Sequence, residues 1–526
     1  MKQILLSTAL LLASTAGIYA QWSDNPAVNN RVTPSNVGFY EPQMLTNADG
    51  VSYFFYIVPA RLSDGSDAFQ YRMQILDADG KRVFGAAGKV LSHERNITWT
   101  KFNDYILIDN DGNCIVSCFD LRDSDPNAYD FNYYIYKISP TGETLWGPVT
   151  LNGGQGCADM FGLSMCATDD GGSAYAYALT DENGTRHITK LERIDRDGNL
   201  LWQEPVVVEP ESQTTRPLVV NNGENEVMML YQDATGQYVA RVYDAEGKDV
   251  WGESVEFYSG GFSSDRVYPS FNIQAGPEGG AIMCVMDGGW NGRIIYMTRD
   301  GEYGFQTANV GTTVAGPNYQ TTVPSVYYDK AEDAFYAAYS NLADFGNNGY
   351  GMNIQKFTRD GLRLWGDNGI SIIPTEYGQQ VGTVKARSAG EGQVAVFCQY
   401  MGSVSYNDPV STFISIIDKD GNIVNEPTDF TTSLFTKNNL MVSDCINDDH
   451  YIVSWTEKRS TSSSECIYAQ YVKKDGSTSG IETRDVEDTG NARYYDLQGR
   501  PVNADHVGTS TLLIRADGKT SKMIVK

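Results

Sequence analysis

Short stretches in which apolar and polar residues alternate recur along the chain, and each runs into a tight polar turn. YRMQILD before Gly80 and MNIQKFT before Gly361 are clear cases. A period of two marks a half-buried β-strand. The turn that follows is written much the same way each time: LDADGKRVF, ISPTGETLW, IDRDGNLLW, YDAEGKDVW, MTRDGEYGF, FTRDGLRLW, IDKDGNIVN and VKKDGSTSG. Asp or Asn before Gly supplies the positive φ that a tight hairpin requires, so each copy predicts two strands joined by such a turn. The glycines concerned are Gly80, Gly142, Gly198, Gly247, Gly301, Gly361, Gly421 and Gly476, spaced 49 to 62 residues apart. Eight copies at that period are a repeat array.

A second turn lies upstream in most copies, at Gly50, Gly112, Gly171, Gly223, Gly279 and Gly392. Behind it come runs such as VSYFFYIV, GSAYAYAL and QVAVFCQ, rich in aromatic, β-branched and small apolar residues. The copies near Ala334 and His450 keep the strand and lose the glycine. Two hairpins per repeat make one four-stranded sheet with two apolar faces, which hides both only by standing between neighbours around an axis. The expected fold is therefore all-β: a β-propeller of about eight four-stranded antiparallel blades over residues 38–480, or seven if one copy is a decorated insertion. Six copies carry an aromatic four residues after the glycine: Phe84, Trp146, Trp202, Trp251, Phe305 and Trp365. These rings are expected on the outermost strand, wedged against the next blade, each contributing about 2–3 kcal/mol. Asn425 and Gly480 depart from the pattern and mark the last two blades as the least regular.

The N-terminus has a different pattern. Lys2 precedes an apolar run from Ile4 to Ala16, then small residues up to Ala20. That predicts a signal peptide over residues 1–20, with Gln21 first in the mature chain and 21–37 as an N-terminal extension. The run is shorter than the roughly 20 residues of a spanning helix, so no transmembrane segment is expected after cleavage. A secreted or cell-surface product is expected, with the periplasm as the alternative. The net charge of −26 is spread along the chain. Such a surface repels phosphate backbones, which excludes nucleic acid as a partner.

Candidate chemistry is sparse. DNDGN (Asp109 to Asn113) and DRDGN (Asp195 to Asn199) suggest Ca²⁺, but they lack the distal Glu and flanking helices of a calcium loop, and hairpin turns select the same residues. No metal or other cofactor is predicted. GLSMC (Gly162 to Cys166) begins like a nucleophile elbow and puts Cys166 where the last glycine belongs. His93, His187 and His450 share no motif. A glycosidase would need two carboxylates facing across a cleft, and among 66 acidic residues none can be nominated. No catalytic residue is therefore assigned. Of the eight cysteines, Cys114, Cys284 and Cys398 lie in apolar strands and read as buried thiols, whereas Cys157 and Cys166 are the first pair to test for a bridge. Loop aromatics offer more. DFNYYIY (Asp130 to Tyr136), GGWNG (Gly288 to Gly292) and GNNGYG (Gly346 to Gly351) could stack on sugars or anchor peptides. Trp290, outside the docking register and flanked by glycines, is the best single ligand-binding candidate.

Beyond Gly480 a polar linker (481–492) leads to a short β tail (493–526) containing ARYYDLQGRPV and GTSTLLIRADGKTSKMIVK. This tail resembles the C-terminal sorting tail of Bacteroidetes secreted proteins, the type associated with the Por or type IX secretion route. The matching residues are Tyr495, Asp496, Leu497, Gln498, Gly499 and Arg500, then Gly508, Leu513, Ile514, Gly518, Lys519 and Lys526. The resemblance implies export, with the secretion machinery as partner of the tail. SPTGETLW (Ser139 to Trp146) is similar to the repeat of eight-bladed quinoprotein propellers, which supports the architecture. No Cys-Cys pair or cofactor-binding residue accompanies it. Three functions follow in order: an exported binding protein for a glycan or protein, an extracellular glycoside hydrolase or lyase, and a quinoprotein-like dehydrogenase. The residues lean away from an enzyme.

Overall fold

In the computed structural model the described residues are 22–478 and the tail strands between 493 and 525. Excepted are residue 24 and the stretches 35–39, 62–64, 66, 93–103, 123–130, 155–161, 181–186, 213–216, 262–270, 318, 343–348, 402–409 and 460–464. The predicted signal peptide and linker lie outside them.

Eight antiparallel sheets form a ring. Blade 1 comprises Tyr40–Thr46, Ser52–Arg61, Asp67–Leu76 and Lys89–Ser92, paired in that order. Blades 2 to 7 repeat this order over 106–150, 164–212, 218–258, 271–313, 320–377 and 380–429. The first strand of each blade is innermost, and these strands meet one another around the axis. In blade 6 the inner strand is split into Gln320–Thr321 and Ser325–Asp329. Pro324, with no N–H to give a ladder, lies in the break. Eight blades settle the count against seven.

Blade 8 closes the ring from both ends of the chain. Lys437–Val442, His450–Glu457 and Cys466–Lys473 supply three strands, and Asn30–Arg31 supplies the fourth, with Asn30 opposite Ala469 and Arg31 opposite Tyr468. The segment that reads in the sequence as an extension thus carries an outer strand.

The middle strands are buried on both faces, as in FFYIV of blade 1 and AIMCV of blade 5. Neighbouring blades share apolar clusters; one joins Phe55 and Tyr71 of blade 1 to Tyr105, Phe119 and Tyr133 next to them. Phe55 and Tyr105 stack at 4.4 Å.

A meander of four strands places both families of glycine turns on one face of the ring and the remaining connections on the other. The turn glycines hold φ near +80°, as at Gly80 and Gly247. Where the glycine is missing, Asp333 (φ 46°), Asn447 (φ 51°) and Asp448 (φ 55°) take the left-handed conformation, which Asn and Asp tolerate best after Gly. Where a repeat turn opens on Asp, the carboxylate is occupied with its own backbone: Asp195 Oδ1 accepts N–H bonds from Asp197 at 2.9 Å and Asn199 at 2.8 Å. Asp109 does the same and also pairs with Lys137 at 2.6 Å, both side chains buried.

The repeat aromatics dock against the turn glycine of the following blade. A Cβ added at Gly142 would lie 2.5 Å from the Phe84 ring, and one at Gly198 would lie 2.8 Å from Trp146. The same relation joins Trp202 to Gly247, Trp251 to Gly301, Phe305 to Gly361 and Trp365 to Gly421. The two indole N–H groups of Trp146 and Trp202 donate to Arg196 O and Ala245 O, two residues before those glycines. Asn425, the exception in blade 7, still donates from Nδ2 to the equivalent carbonyl, Lys474 O, at 3.5 Å. Gly480 lies outside the described residues, and at the blade 8 to blade 1 junction the ring comes from Trp22. Its indole donates to Ala78 O at 2.8 Å and its side chain lies 2.8 Å from a Cβ placed at Gly80.

The tail forms its own four-stranded antiparallel sheet, with Pro501–Val502, Arg493–Tyr495, Ser510–Ala516 and Lys519–Val525 side by side. Tyr495, Leu513, Ile514 and Lys519 fall on these strands. Asp496, Leu497, Gln498, Gly499, Arg500, Gly508, Gly518 and Lys526 lie outside the described residues.

Candidate functional site

On the face opposite the glycine turns, a cavity of about 720 Å³ opens between blades 5, 6 and 7. Its wall is built mainly from three inner strands: Asn272 to Gln274 of blade 5, Gln320 to Ser325 of blade 6, and Val381 to Arg387 of blade 7. Residues at the ends of the middle strands form the rim, among them Trp290, Leu342 and Tyr350.

Trp290 sits in the turn joining Ala281–Met286 to Gly292–Met297. Asp287 Oδ1 accepts the backbone N–H of Gly289 at 2.8 Å and of Asn291 at 2.9 Å, and its other oxygen takes Arg293 Nε at 2.7 Å. Burial raises the Asp287 pKa, but the bond from Arg293 and the donors of the turn outweigh it and hold the carboxyl below its ordinary value. The Trp290 carbonyl accepts the N–H of Thr321 in blade 6. This backbone fixes a bulky aromatic at φ 63°, where Gly or Asn would sit with less strain. The ring is 43% exposed and faces the cavity. Tyr350, from the GNNGYG segment, lines the same space. The third aromatic segment serves the core instead, since Tyr133 and Tyr134 are fully buried.

Charge on the wall is one-sided. Among the described lining residues the charged ones are Lys385 and Arg387, with no Asp or Glu. Arg387 is already engaged, donating to Ala386 O at 2.9 Å and to Val442 O in blade 8 at 2.9 and 3.2 Å. Its one carboxylate neighbour, Asp444, stands 3.5 Å away and is fully solvated. Lys385 has no hydrogen-bond or ion-pair partner among the described residues. Burial, and then the neighbouring guanidinium of Arg387, push its ammonium down to about 8. Gln320 adds a buried side-chain oxygen without a partner.

Sequence reasoning singled out Trp290 and the segment containing Tyr350, and it missed Lys385, Arg387 and Gln320. Two cations at alternate positions of the inner strand QVGTVKARSAG were the available signal. The histidines are not brought together: His187 lies in blade 3, His450 stacks on Tyr471 in blade 8, and His93 is outside the described residues. Ser164 of GLSMC lies on an inner strand and accepts the N–H of Val219. Cys114, Cys284 and Cys398 are buried thiols; Cys166 is a free thiol, and Cys157 lies outside the described residues. Among the described residues no group of three or more His, Cys, Asp or Glu is arranged to hold a metal, and no helix is long and apolar enough to cross a membrane.

No family model and no curated protein matches the chain. Among solved structures it is similar to a protein of unknown function from Dyadobacter fermentans, 12% identical over 85% of this chain and 98% of that one, with a TM-score of 0.35. It is also similar to the acylaminoacyl peptidase of Pyrococcus horikoshii (9% identical, 80% of this chain, 57% of that one, TM-score 0.38). A third is the α-L-arabinanase of Penicillium chrysogenum (12%, 69% and 92%, TM-score 0.32). Likenesses this distant bear on no activity.

Proposed function

We propose that this chain is an exported binding protein whose propeller holds a small ligand, a glycan or a peptide segment, in the cavity between blades 5, 6 and 7. The observation that carries this reading is the exposed Trp290 ring, held by a rigid turn on the rim of a cavity large enough for such a ligand. Ligand sites are concave, with aromatic walls and a few converging polar groups. Asn272, Gln274, Gln320 and Thr321 supply amides and a hydroxyl beside Trp290 and Tyr350. A glycoside hydrolase of the usual two-carboxylate kind would need an acidic pair across the cleft, and the described wall supplies none. A glycan and peptide array probed with the purified ring tests the reading. Hits that disappear in Trp290→Ala support it, whereas an array with no hits refutes it.

Export rests on the N-terminal pattern and the YYDLQGR tail alone. N-terminal sequencing of protein recovered outside the producing cell should begin at Gln21. Retention of the uncleaved chain inside the cell would refute it.

A further inference from the structure

Resting on that reading of the cavity, we propose that its ligand is a saccharide bearing a carboxylate, a uronic-acid type of sugar, with its ring on Trp290 and its carboxylate at Lys385. The first reason is the reversal of charge. The chain carries −26, yet the described wall of this one cavity holds two cations and no carboxylate. Anions are repelled by the surface at large, so a positive recess within it selects for one.

The second reason is that Lys385 is unspent. Arg387 has carbonyl acceptors on its own strand and in blade 8, whereas Lys385 has none. A partly buried ammonium without a partner is costly to keep, and a ligand carboxylate would supply the missing acceptor. With its pKa near 8 it is still mostly protonated at neutral pH. A carboxylate carries the single negative charge that one compact ammonium can balance.

The third reason concerns the rest of the wall. A sugar presents an apolar ring face and several hydroxyls. Trp290 offers a matching flat surface, and the unpaired Gln320 oxygen accepts a hydroxyl proton. The volume of about 720 Å³ accommodates a mono- or disaccharide.

Calorimetric titration at pH 7 and low salt tests this, using glucuronate, galacturonate and digalacturonate beside glucose, galactose and acetate. At least one uronate should bind, with its neutral counterpart and acetate each at least about 10-fold weaker. Lys385→Met should weaken uronate binding about 10- to 100-fold and erase the preference over the neutral sugar, while Lys385→Arg retains it. Removing an unpaired cation should leave the thermal midpoint of Lys385→Met unchanged or raised, so misfolding would not account for a loss. Equal binding of uronate and neutral sugar, or of acetate, would overturn this proposal and leave the cavity as a ligand site. Failure of every uronate to bind, beside an array with other hits sensitive to Trp290→Ala, would overturn it in the same way. No binder in either experiment would refute both readings.

Discussion

Trp22→Ala removes the ring that docks against the turn glycine of blade 1 at its junction with blade 8. The side chain is 9% exposed and belongs to an apolar cluster containing Val32, Phe54, Tyr56 and Ile452. Truncating a buried Trp costs about 3–5 kcal/mol through lost burial and the cavity left behind. Of this, about 1 kcal/mol belongs to the bond to Ala78 O, so Trp22→Phe should recover most of the loss. With an unfolding entropy of about 2.1 cal/mol/K per residue, a ring of this length shifts its midpoint by only about 1 °C per kcal/mol. The expected fall of about 3–5 °C therefore calls for denaturant titration beside calorimetry. Trp202→Ala, whose indole makes the same bond in mid-ring, is the control. The two variants should lose similar stability, and hydrogen exchange in Trp22→Ala should speed up first in the strands of blades 8 and 1. An unchanged midpoint for Trp22→Ala beside a lowered one for Trp202→Ala would refute the claim that Trp22 closes the ring.

Gly198→Ala meets two penalties, a left-handed φ of 90° and a methyl 2.8 Å from the Trp146 ring, and should lose about 2–4 kcal/mol in denaturant titration. A loss under 1 kcal/mol would show that the interblade contact is loose. Lys385 has a lower pKa folded than unfolded, so its stabilising contribution is absent below about pH 8 and returns as pH rises towards 10.5. Lys385→Met should accordingly be more stable than the parent at pH 7, with the difference shrinking by pH 10.5; a gap that widens with pH would reverse the sign of the argument. Burial pushes the thiols of Cys114, Cys284 and Cys398 well up, so these three should resist a thiol reagent in buffer and react in guanidinium, as mass mapping of the labelled peptides would show.

The blades were legible because their evidence is local. A period of two, a turn residue that must take positive φ and an aromatic at a fixed offset all lie within about ten residues, and eight repetitions remove the ambiguity of any one. The closing strand was not legible, because Asn30 and Arg31 carry no turn signal and their partners stand at Ala469 and Tyr468. Trp22 docks without the usual glycine before it, so it escaped the repeat altogether. The site divided along the same line. Trp290 stood out through its glycine-rich turn, whereas TVKARS reads as any strand, and only the meeting of three inner strands around the axis makes Lys385 part of a cavity.

A chain that is made or delivered N-terminus first can seat Trp22 on blade 1 early, through Ala78 and Gly80, yet the strand Asn30–Arg31 stays unpaired until Cys466–Lys473 arrives. Contacts this far apart in sequence are slow to form, because a long loop must close before they reward it. The latch therefore shuts last: every earlier blade can assemble against its predecessor, yet the molecule stays an open crescent until its two ends meet.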